Sequence, residues 1–209
     1  MSLRRIALTG IAVVFGGAAV FAATPLGRDL IFHTLPIAWT GEADRLAAAL
    51  QIGPGAVVAD IGAGNGALIV ELSRVAGPEG RALATERRPG QRQRVADRAA
   101  AAGVSVTVLE AGERTTSLPD GCCDAIVMRM VLHHIADAAA FARDLRRSVR
   151  PGGRVGIIDF APGALPHLAS DHGVSPDQVV AQFTAAGFEL AIRDDDWGGR
   201  SFLVVFRAR

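Results

Sequence analysis

From residue 42 onwards the chain alternates between two hydrophobic periods. Leu46, Ala49 and Leu50 recur at helical spacing and predict a helix over Glu42–Leu50, ended by Gly53-Pro54-Gly55. Val57-Val58-Ala59 reads as a first strand, and Leu68, Leu72 and Val75 as the buried face of a helix that stops at Gly77-Pro78. The alternation continues with a strand at 82–86, a helix running to Ala102 with Gly103 as its stop, and a strand at 104–109. After the turn Leu118-Pro119-Asp120-Gly121 come a strand at 124–128 and a helix over 138–149. Arg150-Pro151-Gly152-Gly153 ends that helix and leads into a strand at 154–160. Ser175 with Pro176 opens a last helix. Two short strands, 189–193 and 201–206, close the chain around the polar turn Asp194-Asp195-Asp196-Trp197-Gly198-Gly199. Strands that alternate with helices imply a mostly parallel sheet covered on both faces.

The first forty residues break this rhythm. Arg4 and Arg5 precede residues 6–23, which carry no charge; as a helix that run is about 27 Å long, just enough for a thin hydrocarbon core. Three readings stay open: an uncleaved membrane anchor, a signal segment cleaved near Val20-Phe21-Ala22, or an apolar helix packed on the rest of the protein. The expected division is an anchor or signal over 1–24, a linker and lid helix over 25–50, and a catalytic domain over 51–209. A membrane-associated protein follows, although arginines ahead of the helix favour a cytoplasmic N-terminus and hence an external domain.

Composition narrows the function classes. The 209 residues suit one domain, and a net charge of +1 provides no field to gather nucleic acid. Arg87, Arg88, Arg92, Arg94 and Arg98 read as a solvated helix face. Cys122 and Cys123 are the only cysteines; as neighbours they make neither a disulfide framework nor a metal set and read as small core residues. The three aspartates of the last turn lack the rest of a calcium-loop pattern, so no metal site is expected.

The chemistry concentrates after the first strand, at Asp60-Ile61-Gly62-Ala63-Gly64-Asn65-Gly66. Glycines at alternate positions allow a tight turn and a bare backbone that a ligand can approach, and the following helix presents unpaired N–H groups to it. The spacing is not the G-x-G-x-x-G of dinucleotide sites, which weighs against an NAD-linked oxidoreductase. About twenty residues on, a second strand ends at Glu86, where a carboxylate can accept hydrogen bonds from ribose hydroxyls.

This loop, with Cys123-Asp124-Ala125-Ile126-Val127-Met128, Arg150-Pro151-Gly152-Gly153-Arg154 and Ala185-Ala186-Gly187-Phe188, resembles the class I S-adenosylmethionine-dependent methyltransferases over residues 39–206. The resemblance implies a Rossmann-like, seven-stranded, mostly parallel sheet with an antiparallel last strand. It also implies S-adenosyl-L-methionine as cofactor. Asp60, Gly62, Ala63, Gly64, Asn65 and Gly66 would hold its amino-acid end and Glu86 its ribose. Glu113 would lie near the adenine, and Arg129 would belong to the same site. His133 and His134 follow the fourth strand, and His172 lies in a Pro- and Gly-rich loop on the same side. These histidines are the candidate catalytic groups, because imidazole can position a nucleophile or take its proton, and His133, His134, Asp159 or His172 would meet the acceptor. The expected activity is methyl transfer to a small-molecule or exposed-group acceptor. The alternative is a non-catalytic, membrane-tethered binding module on the same fold.

Overall fold

The computed structural model describes residues 41–112, 114–164, 173–198 and 200–209. The element order is α1 (Glu42–Leu50), β1 (Val57–Ile61), α2 (Ala67–Ala76), β2 (Arg81–Glu86), α3 (Pro89–Ala102) and β3 (Val106–Glu110). Then come β4 (Cys123–Arg129), a one-turn 3-10 helix (Leu132–His134), α4 (Ala138–Ser148), β5 (Val149–Asp159), α5 (Pro176–Ala185), β6 (Phe188–Asp194) and β7 (Phe202–Ala208). Seven strands form one sheet in the order β3-β2-β1-β4-β5-β7-β6, parallel except for β7, which runs antiparallel to both β5 and β6. The expected mixed sheet is therefore present. The apolar run 6–23, and with it the anchor or signal, lies outside the described residues. Among those residues, no helix is long and apolar enough to cross a membrane.

Each face of the sheet carries its own core, because successive side chains of a strand point to opposite faces. Ala59, Ile126, Met128, Ile157 and Phe206 pack with Phe141, Leu145 and Phe183 on one side. Val58, Val127, Ile158 and Val205 pack with Leu46, Leu50, Ile69 and Leu72 on the other. Leu46 and Leu50 fix α1 on this second face, each full burial contributing about 2 kcal/mol. Gly156 on β5 marks the fit: a Cβ there would lie 3.1 Å from Leu50 Cδ2. The strand order reverses between β1 and β4, where Ile61 pairs with Met128, and in open α/β sheets ligands bind beyond the strand ends at that point.

Two expectations change. β5 begins at Val149 rather than 154, because Val149 already pairs with Cys123 before the register shifts and Ala125 meets Arg154. At the same irregularity Cys122 and Cys123 are joined to each other by a disulfide, so they are not the free core thiols the sequence suggested. Cys122 precedes β4, so the pair is not bound by the alternation of faces that a strand imposes on successive side chains.

Candidate active site

The loop after β1 is built from backbone in the left-handed region. Gly62, Gly64 and Gly66 have φ of 71°, 58° and 77°, which side-chain-bearing residues adopt only with strain. Their surroundings separate their roles. A Cβ on Gly62 would stand 2.5 Å from Val131 Cγ2, and one on Gly66 would stand 3.0 Å from Val95 Cα, so both are packing glycines. A Cβ on Gly64 would meet nothing within 4 Å. Gly64 is the position where the loop leaves room for a ligand. Gly62 and Ala63 tie the loop to β2 through N–H bonds to the Thr85 carbonyl, 2.9 and 3.2 Å. The Asn65 side chain accepts the Ala67 N–H at 3.1 Å at the start of α2.

Glu86 faces this loop. One carboxylate oxygen accepts the Gly64 N–H at 3.1 Å, and the other takes the Arg87 N–H at 2.9 Å. A carboxylate held at the loop in this way can accept from the hydroxyls of a nucleoside ribose laid over the loop. The arginines of α3 do more than cover a solvated face. Arg98 Nε donates to the Asn65 carbonyl at 2.8 Å, bracing the loop, and Arg92 donates to the carbonyls of Glu86 and Arg87. Nothing in the sequence marked those two arginines among the five.

Asp60, the penultimate residue of β1, is buried at the foot of the loop. Burial pushes its carboxyl up to about 8, with the Arg129 guanidinium pulling the other way and Glu86 adding to the rise. Arg129 ends β4 beside it. Burial draws that guanidinium down from its ordinary value, while Glu42 and Asp60 resist the change. Glu42, at the start of α1, lies 3.4 Å from Arg129 Nε and accepts the indole N–H of Trp197 at 3.0 Å. Neither Glu42 nor Trp197 stood out in the sequence, and the last turn is not simply solvated, since Trp197 is buried against α1 with Arg45 stacked 3.9 Å from its ring.

Beyond β4, Met130 turns back in the left-handed region at φ 55°, and its N–H bonds the Ile158 carbonyl at 2.8 Å. That turn seats Val131 over Gly62 and places His133 against β5. His133 Nδ1 is 2.7 Å from Asp159 Oδ1, and the His133 backbone N–H donates to Asp159 Oδ2 at 3.2 Å. Asp159 is buried with both carboxylate oxygens engaged by His133, so it orients the imidazole and does not meet an acceptor as expected. A carboxylate on Nδ1 selects the tautomer with its proton there and leaves the lone pair on Nε2. The His134 ring lies 3.9 Å from that of His133, and Phe160 sits 4.7 Å from it. Glu113 and His172 fall outside the described residues. Among those residues there is no cluster of three or more metal-ligating side chains.

The sheet order, the alternate-glycine loop and the acid at the end of β2 define a Rossmann-like methyltransferase domain. Residues 59–157, just under half of the chain, match the family model described as "Methyltransferase domain", and the fold is that of the class I S-adenosylmethionine-dependent methyltransferases. It is 29% identical over 136 residues to the ubiquinone/menaquinone biosynthesis C-methyltransferase UbiE of Burkholderia mallei, covering 65% of this chain and 55% of that protein. It is 26% identical over 124 residues to the enzyme of the same name from Hahella chejuensis, covering 57% and 49%. The chain thus matches about half the length of these curated relatives. A crystal structure of a S-adenosylmethionine-dependent methyltransferase from Aquifex aeolicus superposes with a TM-score of 0.74 at 22% identity, covering 80% of this chain and 90% of that one. The mitomycin 7-O-methyltransferase MmcR superposes with 0.70 at 22% identity, covering 91% and 60%. At these identities the superpositions speak for the fold.

Proposed function

We propose that the protein transfers a methyl group from S-adenosylmethionine to a small molecule bearing an ionisable hydroxyl. The observation that carries the acceptor class is the buried Asp159–His133 pair just beyond the end of β4. When bound, S-adenosylmethionine supplies a methyl group made electrophilic by its sulfonium. The residues fit such a ligand: Gly64 leaves the loop open, Glu86 lies within reach of a ribose, and Arg129 offers a positive charge for the carboxylate of an amino-acid end.

The remaining work falls to the protein. It must hold the acceptor in line with the methyl and exclude water, which can account for several kcal/mol of barrier. His133, oriented by Asp159, takes the hydroxyl proton on Nε2 as the acceptor attacks. Removing that proton raises electron density on the oxygen and, in a conjugated ring, on the adjacent carbons. The pair therefore suits O-methylation and also C-methylation of a hydroxylated ring. The names of the Burkholderia and Hahella relatives point to the second, as C-methyltransferases of quinone biosynthesis.

The test is release of S-adenosylhomocysteine from S-adenosylmethionine in the presence of matched phenols and amines. Phenol-dependent release that disappears in His133→Ala supports the reading; release with amines alone refutes the acceptor class. On the sequence alone, residues 6–23 would tether this domain to a membrane. Fractionation of cells expressing the full chain tests that, a washed membrane pellet supporting it and a soluble fraction opposing it.

A further inference from the structure

Three residues far apart in the sequence meet where α1, β4 and the β6–β7 turn converge. Trp197 is buried in that turn and gives its indole N–H to Glu42 Oε1 at 3.0 Å. Glu42 stands in the first turn of α1, whose Leu46 and Leu50 are locked into the core. The same Glu42 carboxylate approaches Arg129 Nε at 3.4 Å, and Arg129 lies beside buried Asp60 under the glycine loop. Arg45, one turn along α1, stacks 3.9 Å from the Trp197 ring and lies 3.9 Å from Asp194. The Trp197–Glu42 bond is well formed, whereas Glu42 meets Arg129 at long range and on one nitrogen. A strong anchor on one side of Glu42 and a loose contact on the other make it a guide for the guanidinium, not a tight ion pair.

We propose that Glu42, locked by Trp197, is a positioning residue that aims Arg129 at the carboxylate of the cofactor's amino-acid end. The proposal rests on the methyltransferase reading above. An arginine beside two carboxylates has several orientations to choose from, and a planar fork recognises a carboxylate only when it is turned correctly. The last turn of the chain thereby sets the geometry of a site built at the opposite end of the sequence.

The experiment compares two ligands by calorimetry on the full chain: S-adenosylhomocysteine, and 5′-methylthioadenosine, which has the same nucleoside and no amino-acid end. Glu42→Ala is expected to weaken S-adenosylhomocysteine about tenfold and leave methylthioadenosine within about twofold of wild type. Glu42→Gln keeps an oxygen that accepts from both neighbours, so its affinity for S-adenosylhomocysteine stays within about threefold of wild type. Trp197→Phe keeps the ring under Arg45 but loses the N–H, and falls between the two. Equal weakening of both ligands in Glu42→Ala, no weakening at all, or a Gln variant as poor as Ala would each overturn the proposal. Wild-type protein that binds neither ligand would overturn the methyltransferase reading itself, and this proposal with it.

Discussion

Asp159 holds His133 by two hydrogen bonds, one to the ring at Nδ1 and one to the backbone N–H, so the imidazole is fixed in both tautomer and direction. If that pair supplies the base, His133→Ala should lower kcat by about 10²- to 10⁴-fold and leave the Kd for S-adenosylhomocysteine unchanged. Asp159→Asn presents an amide to Nδ1 and removes the preference for the reactive tautomer. It should lower kcat by about 10²-fold. Steady-state kinetics with the best phenol acceptor checks both variants.

The loop glycines should separate by mutation. Gly64→Val fills the open side of the loop, so binding of S-adenosylhomocysteine should be lost in calorimetry while the circular dichroism spectrum is retained. Gly62→Ala does something different. Its φ of 71° and the 2.5 Å approach to Val131 should destabilise the fold by roughly 2–4 kcal/mol, read as a lower urea midpoint. Unchanged affinity in Gly64→Val would count against the loop assignment.

Asp60 predicts a pH dependence of stability. Its carboxyl sits at about 8 in the folded protein against an ordinary value of 3.8, because burial disfavours its charge. Between those values the folded state holds a proton that the unfolded state has released. This contribution is thus full below about 4, declines as pH rises to about 8, and stays absent above that. The urea midpoint of the ligand-free protein should fall from pH 6 to pH 8.5, and Asp60→Asn should remove that part of the slope.

Arg98 supplies the fourth expectation. Its Nε bond to the Asn65 carbonyl crosses from α3 to the loop, so Arg98→Ala should loosen the loop. A loss of S-adenosylhomocysteine affinity of about two- to fivefold is expected in the same calorimetric assay, with a thermal midpoint close to that of the parent.

The parts of this site that were legible in the sequence are local. Asp60 to Gly66 carry their turn in their own spacing, and Glu86 follows at the distance one strand–helix–strand unit requires. What could not be read depends on contacts across long separations. Trp197 looked like one residue of a polar turn because its partner Glu42 lies 155 positions earlier. Asp159 was placed at the acceptor because it ends a strand at the right height; only the packing of the 3-10 turn against β5 shows that it faces His133 instead. Arg98 was indistinguishable from its neighbours until the third helix was docked beside the loop. The cysteine pair reads as two core residues because neighbouring cysteines make no disulfide framework; the bond instead joins them to each other at the start of β4.

All of these expectations assume that the glycine turn and the acid 22 residues beyond it grip one nucleoside between them. A crystal structure with S-adenosylhomocysteine tests this most directly. The account predicts the homocysteine end over Gly62–Gly66 and both ribose hydroxyls on Glu86. A ligand lodged elsewhere, or Glu86 turned away from the ribose, would contradict it.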